Sequence, residues 1–149
     1  MGGMAISGLY ILSGCIAIVT GEFSYLLIFC VSGISIATVS TMALLSIDKP
    51  TRRSRPIDGL AVAIFFWVFA PFLLSIPFFP LLEGQNNRFL LATYEALSNL
   101  STTGHSLVAP SVTLPASLIF WRALLHIVGA VACLTMAMPV FAALNLGGP

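Results

Sequence analysis

Long apolar stretches alternate with short polar segments along this chain, and four of the stretches are of membrane-spanning length. An α-helix needs roughly 20 mostly apolar residues to cross a bilayer. The pattern therefore predicts four transmembrane helices, the first two forming an N-terminal pair within residues 1–47. The four predicted helices cover residues 4–20, 25–47, 59–82 and 116–144.

A fifth apolar segment, residues 88–100, is shorter and runs into a hydroxyl-rich tetrapeptide, Ser-Thr-Thr-Gly, at residues 101–104. An apolar run of about 10–14 residues is typical of a re-entrant segment. Non-helical backbone persists at membrane depth only where protein buries it or where it lines a wet cavity. The sequence therefore predicts a pore helix over 88–100 and a filter-like loop over 101–105.

The composition supports a membrane protein, because 58% of the 149 residues are hydrophobic and only 7% are charged. A soluble domain of this length has too little interior to hide that much apolar surface. The expected fold is an all-α integral membrane protein, in which the N-terminal helix pair precedes one helix–pore loop–helix unit over residues 59–149.

Most of the basic side chains lie in one polar loop, residues 48–58, which contains Lys49, Arg52, Arg53 and Arg55. The positive-inside rule assigns such a loop to the cytoplasm, and four spans then place both termini there as well. An alternative role for the loop is binding of anionic lipid headgroups or of a cytosolic partner. No basic tract interleaved with aromatic residues indicates a nucleic-acid partner.

The filter-like loop offers chemistry suited to an alkali cation. Carbonyl and hydroxyl oxygens can replace a cation's hydration shell, and the C-terminal end of a helix adds partial negative charge. Thr102 and Thr103 are the first candidates for potassium ligands through their backbone carbonyls, with Ser101 and Gly104 beside them. Gly104 would supply a backbone conformation closed to residues with a Cβ atom. The alternative is a capped loop whose hydroxyls bond the local backbone.

Glu95 and Arg122 are the charges predicted well inside the outer half of the fold. Burying either alone costs about 2.5–3.5 kcal/mol, so we expect them to pair and to support the pore helix. Direct ion binding by Glu95 is the alternative. His105 and His126 lack a carboxylate or cysteine cluster, so no metal site beyond potassium is expected.

Nearby serine and histidine residues raise an intramembrane serine hydrolase as another class of function. The sequence contains no Gly-x-Ser-Gly nucleophile motif, so we predict that the chain is not an enzyme.

In the last predicted span, Trp121 is expected near the outer membrane interface. Gly129 and Pro139 are points where that helix can unwind or kink.

Residues 94–104 read Tyr-Glu-Ala-Leu-Ser-Asn-Leu-Ser-Thr-Thr-Gly, and residues 118–124 read Leu-Ile-Phe-Trp-Arg-Ala-Leu. Together with Leu-Asn-Leu-Gly-Gly at 144–148, they resemble the first pore unit of the Trk/Ktr/HKT superfamily of potassium and sodium translocating proteins. The chain is most similar to the bacterial Trk uptake subunits, whose pore sequence is typically Phe-Glu-Ala-x-Ser-Gly-Leu-Thr-Thr-Thr-Gly.

The resemblance implies potassium (monovalent cation) transport across the bacterial inner membrane, with K⁺ as the transported ion and no organic cofactor in this chain. It also implies four pore units in each pathway. The expected partners are therefore membrane lipid, the remaining pore units or identical subunits, and a cytosolic nucleotide-binding regulatory subunit.

Three departures from the family pattern bear on conduction. A single pore unit indicates a truncated or partial form. The alternatives are a non-conducting fragment or accessory membrane protein and a homotetrameric single-unit channel. His105 stands where the family usually has a small or apolar residue, and its imidazole could narrow or charge the outer mouth. Residues 126–132 read His-Ile-Val-Gly-Ala-Val-Ala where the family has Gln-Trp-x-Gly-Gly-x-Gly, losing glycines that help close packing.

Overall fold

The computed structural model describes residues 2–46, 56–108 and 113–143, and the regular structure in these ranges is helical. Most of the predicted cytoplasmic loop and the motif at 144–148 lie outside the described residues. Short 3₁₀ helices separate the third α-helix from the fourth. The elements are α1 (Gly2–Val19), α2 (Phe23–Ser46), α3 (Pro56–Leu74), the 3₁₀ helices Ile76–Phe78 and Pro80–Leu82, α4 (Arg88–Leu100) and α5 (Ala116–Ala143).

Three of the described helices are long and apolar enough to cross a membrane, over Phe23–Met42, Asp58–Phe78 and Ala116–Met138. The apolar part of α1, Ile6–Val19, is shorter. These apolar helices are those of a multi-pass membrane protein with an all-α fold. A fourth span and the direction of insertion remain predictions.

α5 is the central helix of the bundle, because it contacts α1, α3 and α4, while α2 packs against α1. Three fully buried aromatic rings connect these layers: Tyr10 of α1, Phe29 of α2 and Trp121 of α5. Their ring centroids lie 4.5, 5.5 and 6.1 Å apart, in tilted arrangements that aromatic pairs favour. The N-terminal hairpin therefore fixes the position of the helix that borders the site.

The third predicted span does not form one continuous helix, because α3 ends at Leu74. Pro77 has no N–H group to donate to the Leu73 carbonyl four residues earlier, and short 3₁₀ turns follow α3 in place of regular helix. The Leu73 carbonyl accepts instead from the Tyr10 hydroxyl, and the Leu74 carbonyl accepts from the Trp121 indole N–H at 3.3 Å. Trp121, expected near a membrane interface, is fully buried here, where its N–H satisfies a carbonyl without a helical donor.

Glu22, in the turn between α1 and α2, caps the N-terminus of α5. Its carboxylate accepts hydrogen bonds from the backbone N–H groups of Ala116 at 2.7 Å and Ser117 at 3.1 Å, and from the Ser117 hydroxyl. The first N–H groups of a helix have no partner inside it, and negative charge beside them is favourable. Burial raises the pKa of Glu22 and these hydrogen bonds lower it by more, so the pKa falls below its ordinary value of 4.5.

Glu22→Gln is expected to lower the free energy of unfolding at neutral pH by about 1 kcal/mol, the usual cost of a lost helix cap. Because folding lowers the pKa of Glu22, its contribution is complete above the ordinary pKa and is lost as pH falls through the folded-state pKa. Thermal unfolding in detergent from about pH 7 to pH 3 should show the difference between wild type and variant shrinking on acidification. A difference that is independent of pH would contradict the cap.

Candidate functional site

α4 has 13 residues and is about 20 Å long, which is shorter than the hydrocarbon core of a bilayer. One face packs against α3 and α5, whereas the opposite face exposes apolar side chains. The Ser101 N–H donates to the Leu97 carbonyl at 2.8 Å as the helix ends. The C-terminal end of α4, with its partial negative charge, therefore adjoins the filter-like loop. The buried face holds Ala92, Glu95, Ala96, Ser98, Asn99 and Leu100.

The filter-like loop, residues 101–105, is exposed along its whole length. Within the described ranges, no residue donates a hydrogen bond to the backbone carbonyl oxygens of residues 101–104. The carbonyls of neighbouring residues are engaged: that of Asn99 accepts from the Thr102 N–H at 3.1 Å, and that of His105 accepts from the Ser98 hydroxyl at 2.7 Å. The carbonyl oxygens of these four consecutive residues are thus left without donors from the described part of the chain.

A hydroxyl group of this loop bonds the local backbone, as the capped-loop interpretation expects. Ser101 Oγ donates to the Ser98 carbonyl at 3.2 Å and lies 3.0 Å from Thr103 Oγ1. The two interpretations of the loop therefore concern different atoms. The hydroxyls of Ser101 and Thr103 make local contacts, while the backbone carbonyls remain open to a ligand.

The loop backbone is held in the left-handed region at two positions. Thr102 has φ +61° and Gly104 has φ +70°. Glycine adopts this region without steric cost, but a β-branched residue there is an outlier that costs of the order of 1–3 kcal/mol. Such conformations persist where the surrounding structure enforces them, and they concentrate at functional sites.

Side chains of α4 hold the chain that leaves the loop. The Tyr94 hydroxyl lies 2.8 Å from His105 Nδ1, and the Ser98 hydroxyl donates to the His105 carbonyl. Glu95 Oε1 accepts from the Ser106 hydroxyl at 2.9 Å and from the Leu107 N–H at 2.7 Å. Sequence reasoning missed the roles of Tyr94 and Ser98. Their four-residue spacing, which places them on one helical face, is the signal that could have indicated them.

Glu95 also connects α4 to α5. Its side chain is only 1% exposed, and Oε2 lies 3.9 Å from Arg122 Nη2 without accepting a hydrogen bond from any described residue. Arg122 Nε donates to Asn99 Oδ1 at 3.2 Å, and Asn99 Nδ2 donates to the Glu95 carbonyl at 2.6 Å. The Glu95 carboxylate therefore contacts the chain after the loop and Arg122.

α5 approaches the loop most closely through a glycine and a histidine. A Cβ atom on Gly129 would stand 1.7 Å from the Leu100 carbonyl oxygen, so only glycine lets α5 contact the end of α4 here. α5 does not unwind at Gly129, because the helix continues from Ala116 to Ala143. His126, one turn earlier, lies beside Gly104.

The described part of the chain brings no serine hydroxyl to a histidine ring. The Ser98 and Ser106 hydroxyls donate to a carbonyl and to a carboxylate, respectively. The Nδ1 atoms of His105 and His126 lie against the Tyr94 hydroxyl and the Arg122 carbonyl. No group of three or more His, Cys, Asp or Glu residues that could hold a metal ion occurs among the described residues. The arrangement therefore favours contacts to a cation through oxygen over nucleophilic chemistry.

No known protein-family profile matches this chain, and no solved structure matches it significantly. The Trk system potassium uptake protein TrkG of Escherichia coli is 23% identical over 126 residues, which cover 84% of this chain and 24% of that protein. TrkH of Vibrio parahaemolyticus is 28% identical over 91 residues, covering 61% of this chain and 19% of TrkH. An uncharacterised cation transporter of Methanocaldococcus jannaschii is 33% identical over 76 residues, which cover 51% of this chain and 16% of that protein.

This chain thus spans between 16% and 24% of the length of these curated relatives. By name the relatives are transporters and not enzymes, as the sequence predicted for this chain. The identity is low, but in several matches it extends over much of the chain. The chain is therefore a relative of the Trk system potassium uptake proteins.

Proposed function

We propose that this chain is a pore-loop unit of a monovalent-cation pathway with K⁺ as the transported ion, equivalent to the first pore unit of a Trk-type uptake protein. The row of carbonyl oxygens at residues 101–104, open to a ligand at the C-terminal end of α4, carries the proposal. Backbone carbonyls are the groups that replace the hydration shell of K⁺ in selectivity filters. The names of the relatives, potassium uptake and cation transport proteins, support the same ion.

In this proposal α3, α4 and α5 form the span, pore helix and span of one unit. The carbonyls of residues 101–104, those of Thr102 and Thr103 foremost, contact the ion. Glu95 and Arg122 support the pore helix, because their contacts tie α4 to the chain after the loop and to α5. The C-terminal end of α4 adds favourable negative potential at the ion.

A single loop borders an ion on one side only, so the pathway needs further pore units or identical copies of this chain. The exposure of the filter-like loop supports this requirement, because irregular backbone at membrane depth must be covered by protein or line a wet cavity. We place the unit in the bacterial inner membrane with the basic loop at 48–58 and both termini in the cytoplasm. A nucleotide-binding regulatory subunit would contact it there.

The proposal is tested by K⁺ flux into liposomes that contain the purified chain, measured together with its oligomer mass. Thr103→Pro is expected to lower flux about fivefold or more, because strain of 1–3 kcal/mol at one residue corresponds to a factor of about 5 to 150. Proline pushes the residue before it toward extended conformations. Here that residue is Thr102, whose φ of +61° is left-handed helical, so the variant would disturb the loop backbone.

Thr103→Ala is the matched control, because it removes the hydroxyl and keeps the backbone carbonyl. Its flux should stay within about twofold of wild type, since the lost hydroxyl makes a local contact worth little in net terms. Equal flux in the proline variant would exclude this loop as the ion path. Absence of flux in every oligomeric form of the wild-type chain would favour a non-conducting accessory protein.

A further inference from the structure

His126 of α5 stands directly behind the filter-like loop. Its Nδ1 lies 2.8 Å from the Arg122 carbonyl oxygen. A carbonyl oxygen can only accept, so Nδ1 donates this hydrogen bond. A Cβ atom added to Gly104 would stand 3.2 Å from Nε2 and 3.8 Å from Cε1. A side chain at residue 104 would therefore be in tight contact with the ring, which would have to shift by a few tenths of an ångström.

The ring is fixed from the side of α5. Turning it away from Gly104 would break the hydrogen bond to the Arg122 carbonyl. Arg122 itself donates to Asn99 of α4, and the contact between Gly129 and the Leu100 carbonyl holds the two helices together one turn further on. The hydrogen bond to the Arg122 carbonyl therefore holds the ring, and the α4–α5 contacts hold the helix that carries it.

We propose that the His126 ring is a rigid back wall for the filter-like loop at Gly104, and that it determines the preference of the site for K⁺ over Na⁺. This inference rests on the proposed function and deepens it. Selectivity depends on the size of the cage and on the number and flexibility of the carbonyls around the ion. A wall that fixes the distance between the loop and α5 limits the size of the cage and the flexibility of its carbonyls. His126 acts through Gly104 and is therefore a positioning residue.

The wall is tested by a double-mutant cycle of Gly104→Ala and His126→Ala, with unfolding of detergent-solubilised protein as the measurement. Gly104→Ala is unfavourable for two reasons: residue 104 has a φ of +70°, and the new Cβ atom would contact the His126 ring. His126→Ala removes the ring contact and leaves the unfavourable φ unchanged. We expect Gly104→Ala to change the folding equilibrium constant about fivefold less in the His126→Ala background, a coupling typical of residues in contact. If Gly104→Ala changed the folding equilibrium constant equally in both backgrounds, the proposed contact between the His126 ring and residue 104 would be wrong.

Ile127→Ala is the matched control for the cycle. Ile127 is the next residue of α5, and its side chain is 61% exposed. The effect of Gly104→Ala should be the same in the wild-type and Ile127→Ala backgrounds, since that side chain lies on the outer surface. A reduced effect in both the His126→Ala and the Ile127→Ala backgrounds would show a general loosening of α5 and would count against a specific wall.

Selectivity is tested by competition between K⁺ and Na⁺ for flux in liposomes. His126→Ala should reduce the ratio of apparent affinities about fivefold or more, and His126→Gln, which keeps a planar polar group, should recover part of it. An unchanged ratio in His126→Ala would overturn the role in selectivity, even if the cycle shows coupling. Absence of cation-dependent flux in the wild type would instead contradict the proposed function and the selectivity role together, while the unfolding cycle would still decide the wall.

Discussion

Gly129→Ala is expected to lower the free energy of unfolding by more than about 3 kcal/mol, at the upper end of the cost of overpacking. The new Cβ atom would stand 1.7 Å from the Leu100 carbonyl oxygen and 2.7 Å from its carbonyl carbon. Both are backbone atoms, so no side-chain rotation relieves the clash, and α5 must separate from α4. The higher helix propensity of alanine offsets only about 1 kcal/mol. Equilibrium unfolding in detergent measures the loss.

Gly8→Ala is the matched control, because Gly8 lies inside α1 and a Cβ atom there meets no heavy atom within 4 Å. This substitution should leave stability unchanged or raise it by up to about 1 kcal/mol, through helix propensity alone. If Gly129→Ala were tolerated as well as Gly8→Ala, the close approach of α5 to the end of α4 would be wrong.

Glu95→Gln is expected to lower the free energy of unfolding by about 2–3 kcal/mol. Breaking a buried ion pair usually costs 3–5 kcal/mol, and this pair is long, at 3.9 Å, with an arginine side chain that is 19% exposed. The amide can still accept from Ser106 and Leu107 but leaves Arg122 without its carboxylate. The change in stability therefore reports the loss of the Glu95 negative charge and not the loss of these two hydrogen bonds. Equilibrium unfolding in detergent measures it, and K⁺ flux should fall with it.

Two controls separate the buried charge from charge in general. Glu83→Gln removes an exposed carboxylate from the loop before α4 and should change stability by less than about 0.5 kcal/mol. Adding Arg122→Met to Glu95→Gln should recover part of the loss, because the double variant no longer leaves an unpaired charge. A double variant less stable than either single one would contradict the pairing of these two residues.

The local features of the site could be predicted from the sequence. The apolar run at residues 88–100 and the hydroxyl-rich tetrapeptide after it are consecutive, so their pattern predicts a short helix followed by irregular backbone, and α4 covers the same residues. The high cost of burying Glu95 or Arg122 alone likewise predicts that each needs a partner.

Contacts between distant segments could not be predicted in this way. Tyr94 and Ser98 bond a residue that follows them by 11 and 7 positions, and that contact exists only because the chain reverses after α4. At the end of α3, Tyr10 and Trp121 donate to the Leu73 and Leu74 carbonyls. Leu73 has no helical donor because residue 77 is proline, and Leu74 has none because the N–H of residue 78 bonds the carbonyl of residue 75. The hydrophobic pattern alone predicted a helix that reaches residue 82, whereas α3 ends at Leu74. An apolar segment does not show where its backbone hydrogen bonds end.

By itself, the sequence determined that this is an all-helical membrane protein with a short apolar helix and a hydroxyl-rich loop after it, because hydrophobic length and residue type are local properties of the chain. The tertiary structure alone decided which atoms of the loop remain open, that Glu95 connects three segments, and that His126 and Gly129 border the loop and the end of α4. The physical reason is that hydrogen-bond satisfaction and close packing depend on which helices meet, and the sequence pattern does not show that α5 packs against α4.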